Sequence, residues 1–272
     1  MRLAVLAAAA AVAASPAASS VGFLQARQLD GGGFAEAGRA AYPQLTAWAV
    51  LGLRAAGAKP SGPAAGYLAQ HEPELTSATD LALVVLAEDS LGQKADRPLA
   101  RLRALERANG SVGGLVNGTA WSVLAFRAAG SPVHPRTIHW LLARQSRSGG
   151  WGWTAGGVDS NDTAVVVEAL RAGRVGGRPV RRALRFLLTF RNGDGGFELT
   201  HGRGSDAQST AWAVQAFLAA GKSPPRGALA YLRRLQRVDG SFRYSARYTT
   251  TPVWVTAQVL PALARKVFPL GS

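Results

Sequence analysis

Cysteine is missing from all 272 residues, which excludes thiolate zinc sites, thiol nucleophiles and thioesters. Disulfides are excluded with it, so the chain must be held by its core. Histidine is scarce as well. His71, His134, His139 and His201 show no helical pairing that would supply a substitute zinc site, so neither a metal nor a cofactor is expected. Acidic residues number 16 against 31 basic ones, of which only Lys59, Lys94, Lys222 and Lys266 are lysines, and the net charge is +15. Such a surface predicts affinity for anionic envelope polymers or a lipid surface. The arginines are nevertheless scattered over outward positions such as Arg181, Arg185, Arg233 and Arg237, without interleaved aromatics, and nucleic acid is not an expected partner.

Long apolar runs are also few. Arg2 precedes the apolar stretch Leu3 to Ala14, and small residues follow through Ala18. A charged start, a short apolar segment and a small-residue exit describe a secretory signal peptide, whereas a bilayer span takes about 20 apolar residues. The expectation is a leader over 1–19 and one domain over 20–272, secreted or extracytoplasmic.

What the chain does have is a repeat. Gly195-Gly196-Phe197, then Ser209-Thr210-Ala211-Trp212, then Gly221 recurs in six versions about forty residues apart, the spacing of a helix-pair array. The copies run Gln25 to Gly57, Tyr67 to Ala87, Leu102 to Gly130, Gln145 to Gly173, Phe186 to Gly221 and Tyr231 to Ala264, and the second has lost its glycine loop. In the fifth, Arg181 to Phe190 sets Leu184, Leu187 and Leu188 opposite arginines, an amphipathic helix. Asn192 to Gly196 breaks it, and Ala211 to Ala220 is then apolar nearly all round, as a fully buried helix is. Alternating amphipathic and apolar helices predict two concentric layers: an all-α (α/α)6 barrel of six helix pairs, with an open solenoid as the competing arrangement.

At these residues the chain resembles the prenyltransferase and squalene-cyclase repeat superfamily. The resemblance rests on Gln25 with Gly32-Gly33-Phe34, Gln145 with Gly149-Gly150-Trp151, and Gln236 with Gly240-Ser241-Phe242. It implies the toroid fold and leaves activity open, because the superfamily includes cyclases, transferase subunits and vitamin-binding proteins. Asp159-Ser160-Asn161-Asp162-Thr163-Ala164 is similar to the Asp-x-Asp-Asp-Thr-Ala of class II terpene cyclases, whose middle aspartic acid protonates the substrate. Here that slot is Asn161, which has no proton to give. The resemblance also sets such a cavity between two barrels, where this chain has one. Asp159 and Asp162 remain the candidate acids, with helix capping as their plainer role.

Aligning the inner helices on their tryptophans sets Trp48, Leu81, Trp121, Val165, Trp212 and Trp254 at one level. Gln44, Ser77, Asn117, Asn161, Gln208 and Thr250 stand one turn earlier on the same face. An apolar belt beneath neutral polar groups suits a small-molecule site. The expected ligand is therefore an apolar or amphipathic, isoprenoid-like small molecule, bound by Gln44, Trp48, Asn117, Trp121, Asn161, Gln208, Trp212 and Trp254. Three alternatives stand beside it: a terpenoid cyclase or transferase-like enzyme, a glycan-active enzyme, and a non-catalytic envelope scaffold.

Overall fold

The computed structural model describes residues 16–154 and 157–270. Most of the expected leader lies outside the described residues. Among the described residues, twelve α-helices alternate between an outer and an inner layer. The outer ones are α1 (Pro16–Gln25), α3 (Ala64–His71), α5 (Asp96–Ala104), α7 (Pro135–Ala143), α9 (Arg178–Leu188) and α11 (Ala228–Arg234). The inner ones are α2 (Pro43–Ala55), α4 (Ala78–Ser90), α6 (Val116–Ala128), α8 (Ser160–Ala172), α10 (Ala207–Ala219) and α12 (Pro252–Leu263). Each inner helix packs on the inner helix before and after it, and α12 packs on α2, so the array closes into a ring rather than an open solenoid. The composition of the inner helices dictates this. Every residue from Leu45 to Leu53 is buried, and so is every residue from Ala207 to Phe217 except Gln208. A helix with no polar face must be covered on all sides. The outer helix α9 buries Val180, Ala183, Leu184 and Leu187 and exposes Arg181 and Arg185. Leu188, read from the sequence as part of its apolar side, is 46% exposed at the helix end.

Three recurring contacts tie the repeats together. The first is a glutamine clamp. Gln145 Nε2 donates to Gly149 O and to Pro179 O at the start of the next outer helix, both at 2.8 Å. In the first repeat Gln28 fills this role rather than Gln25: its amide reaches Gly32 O at 2.8 Å and accepts from Gly62 N at 2.9 Å. Gln25 donates instead to Lys59 O. Gly32 needs its glycine, because φ is +89° and a Cβ would stand 2.5 Å from Pro63 O. The second repeat, which lacks the loop, substitutes buried Glu72, paired with Arg97 at 3.0 Å and with Arg101.

The second contact is a threonine hook. Oγ1 of Thr46, Thr119, Thr163, Thr210 and Thr256 accepts the N–H of Phe34, Val112, Trp151, Phe197 and Phe242 respectively, at 2.8–3.0 Å. Each hook holds the returning loop residue against its inner helix. The third lies at the far end of the ring, where Arg54 Nε donates to Ser90 O (2.6 Å) and Arg171 Nε to Ala219 O (3.2 Å). These cations satisfy carbonyls at the negative ends of neighbouring helices.

The ring is fastened at its ends in sequence. Gln236 Nε2 donates to Ser20 Oγ, and Ser20 Oγ donates to Gly240 O at 2.6 Å, so α1 serves as the next outer helix after α11. Gly52 lets α2 approach α12, since a Cβ there would lie 2.7 Å from Ala257 O. One feature was not expected from the sequence. Strands β1 (Trp151–Thr154) and β2 (Gly157–Asp159) pair antiparallel just before α8, burying Trp151 and leaving Trp153 71% exposed.

Candidate functional site

The threonine hooks define which residues of the six inner helices are equivalent, and they revise the sequence alignment in two repeats. Thr256, not Thr250, is the hook of α12, so Trp254, two residues before it, stands level with Gln44, Asn117, Asn161 and Gln208. Thr250 precedes the helix altogether. In α4 the side-chain cap Ser77 matches caps Asp159 and Asp206, which sets Thr79 rather than Ser77 in the polar ring and Leu83 rather than Leu81 in the tryptophan slot. The corrected upper ring is Gln44, Thr79, Asn117, Asn161, Gln208 and Trp254. The level beneath it is Trp48, Leu83, Trp121, Val165, Trp212 and Gln258.

That lower level is closed. Trp48, Trp121 and Trp212 come from alternate inner helices, and their ring centroids lie 5.3, 6.1 and 5.7 Å apart. Edge-to-face and offset pairs at such distances are favourable packing, and all three are buried. Phe268, from the chain's last turn, packs beneath Trp48 and Trp121 at 6.2 and 5.6 Å. These three tryptophans therefore form a floor across the ring rather than an open belt. Trp254, one level up, stays partly exposed and stacks on Tyr42 with centroids 6.4 Å apart.

The upper ring remains accessible: all six of its members are partly exposed. Its hydrogen bonds run around the mouth. Thr79 Oγ1 donates to Asn117 Oδ1 (3.0 Å), Asn117 Nδ2 to Asp162 Oδ1 (2.8 Å), and Gln44 Nε2 to Asp80 Oδ2 (3.2 Å). Asn161 Oδ1 accepts from Ser160 Oγ at 3.3 Å.

Asp159 is the side-chain cap of α8, accepting from Asp162 N at 2.8 Å, as the capping role requires. It is also more than a cap. Burial, then the charge of Asp162, pushes its carboxyl up to about 7, and burial raises Asp162 against the opposing hydrogen bond from Asn117. Two carboxyls close together in a half-buried place disfavour each other's ionised form. The other mouth acids are engaged in structure. Asp206 Oδ1 and Oδ2 take Ser209 N and Oγ at 2.7 and 2.8 Å, and the Glu36 carboxylate accepts Val253 N and Trp254 N at the head of α12.

Beneath the floor lies a polar group that sequence reasoning missed. Glu168 is fully enclosed, and its Oε2 accepts Phe268 N at 2.9 Å. Burial pushes its carboxyl up to about 8. Gln258 has neither amide atom hydrogen-bonded among the described residues, and Gln215 Nε2 is likewise unpartnered. The signal was present, since charged and amide residues interrupt otherwise apolar helices at these positions, but only the register reveals that they face inward.

No protein-family model matches the sequence, and neither does any curated protein. Solved structures do. A protein from Actinoplanes superposes with a TM-score of 0.68 at 22% identity, over 93% of this chain and 98% of that one. The type II terpene cyclase MstE from Scytonema gives 0.66 at 17% identity, over 92% of this chain and 96% of that one. A polysaccharide lyase gives 0.62 at 12% identity, over 92% and 97%. The match covers almost all of the MstE chain, so that cyclase chain is a single toroid of about this size. With its inner and outer helices alternating around a closed ring, the chain has the α/α-toroid fold that these solved structures share.

Proposed function

We propose that this protein binds a small amphipathic molecule in the mouth of the toroid. The observation that carries the reading is the accessible ring of neutral polar side chains standing directly over a closed tryptophan floor. Amides of Gln44, Asn117, Asn161 and Gln208 both donate and accept, so they suit an uncharged polar head. The half-exposed face of Trp254 takes the apolar part. The floor makes the site a bowl rather than a channel through the ring, which favours a short or folded ligand over one engulfed lengthwise. An isoprenoid-like ligand is supported by the MstE structure with geranylgeranyl dihydroxybenzoate bound to a toroid of the same fold. The signal-like start of the chain supports an extracytoplasmic setting.

The test is native mass spectrometry of residues 20–272 after exposure to a lipid extract, followed by titration with geranylgeraniol read by tryptophan emission. A retained molecule of defined mass and one-to-one saturation are expected, with binding weakened about tenfold in Trp254→Ala. Bare protein together with unchanged emission would reject the bowl as a site.

A specific observation also favours proton chemistry as a second reading. The Asp159 carboxyl, raised by burial and by the charge of Asp162, which accepts from Asn117, offers an acid beside the slot that Asn161 vacates. Protonating an alkene and then losing a proton from the resulting cation yields an isomer, so incubation with geranylgeranyl dihydroxybenzoate should then give a product of unchanged mass. Asp159→Asn should abolish it, and unaltered substrate after long incubation would leave binding alone.

A further inference from the structure

Two clefts adjoin at Thr250, outside the polar ring: one of about 700 Å³ beside the α11–α12 connection, and one of about 630 Å³ over the loop that follows Phe34. Four of the chain's five tyrosines line them, namely Tyr42, Tyr231, Tyr244 and Tyr248. Among the described residues no leucine, isoleucine, valine, methionine or phenylalanine lines either cleft. The walls thus lack sockets for a lipid tail or for the apolar side chains that anchor a peptide. They present phenol rings with hydroxyl, guanidinium and carboxylate groups, which is the chemistry that recognises sugar rings by their faces and their hydroxyls together.

The charges are not equally available. Asp194 Oδ1 accepts Gly196 N and Ser205 Oγ, Asp206 caps α10, and Glu36 caps α12, so each carboxylate is committed to the backbone around it. Arg39, Arg203 and Arg247 are exposed, and among the described residues none of them forms an ion pair. Tyr244 O accepts Ala207 N at 2.7 Å, which holds its backbone at the head of α10, while Tyr248 is 60% exposed as a free platform. We infer that this groove binds an acidic oligosaccharide, with tyrosine faces under the sugar rings and the exposed arginines, Arg39 and Arg247 foremost, on its carboxylates. The groove borders the mouth at Tyr42, which stacks on Trp254, but Arg247 and Tyr248 stand outside the polar ring.

The probe is a hexamer of galacturonate, titrated by calorimetry against residues 20–272, with maltohexaose as the neutral counterpart. One-to-one binding of the acidic hexamer is expected. It should be about tenfold weaker in Tyr248→Ala, several-fold weaker in Arg247→Gln, and unchanged in Arg185→Gln on the outer helix α9. Equal weakening by Arg185→Gln and Arg247→Gln would mean diffuse attraction to a +15 protein and would overturn the site. Full affinity in Tyr248→Ala would overturn the sugar-face reading in favour of a plain polyanion. Equal affinity for maltohexaose would overturn the acidic specificity.

Discussion

Glu168 shows what a single buried carboxyl does to this fold. Its folded-state value is about 8 against an ordinary 4.5, because burial disfavours the charged form. Between those two pH values the folded chain holds a proton that the unfolded chain has released, so stability falls as pH rises through that window. Glu168→Gln keeps an oxygen for Phe268 N and removes the titration. Its melting temperature should therefore decline less between pH 5 and 8 than that of the unaltered protein, as followed by circular dichroism, with Asp159 and Glu88 carrying the remaining decline. At Gln258 the expectation has the opposite character. An unpartnered buried amide costs about 1–3 kcal/mol, so Gln258→Met should be neutral or stabilising by roughly 1 kcal/mol in urea unfolding. At this scale the sequence was least legible. Asp159 and Asp162 drew attention through a motif, whereas Glu168, Gln215 and Gln258 carry no motif at all.

The element scale was far more readable, and its errors have a common cause. Helix alternation, the glycine loops and the lost loop of the second repeat are all written in composition and period. Register is not, because aligning on tryptophan assumes that the bulkiest residue always occupies one slot. Trp254 breaks that assumption by standing in the polar ring, with Gln258 below it. The residue that does hold register is the smaller threonine, whose hydroxyl has a fixed geometric task. Thr210→Val should thus cost about 1–2 kcal/mol, since it strands Phe197 N in a buried place. An exposed change such as Arg185→Gln should stay within about 0.5 kcal/mol. Urea unfolding of both variants checks the difference. The strands β1 and β2 escaped notice because Gly150-Trp151-Gly152-Trp153 reads equally well as one more glycine loop.

For the whole molecule, the ring count came from the sequence and the filling of its centre did not. Four inner helices bear tryptophan and announce an aromatic interior, but only the approach of Trp48, Trp121 and Trp212 to within 5.3–6.1 Å decides between a belt around a cavity and a floor across it. Phe268 belongs to the same decision, since the last turn of the chain underlies that floor. Phe268→Ala should cost about 3 kcal/mol, read as a lower urea midpoint, while leaving the mouth ring and its ligand affinity in place.

Ser20, held between Gln236 and Gly240, gives the array of repeats no free end. A linear stack of helix pairs frays from its termini, losing one unit at a time, and its melting is spread over many partly folded species. A closed circle offers no such starting point: any helix that leaves must first break contacts on both sides. The protein should accordingly unfold in one sharp, slow step. Removing residues 16–25 should lower the midpoint of that step but leave it single, because α12 still closes on α2.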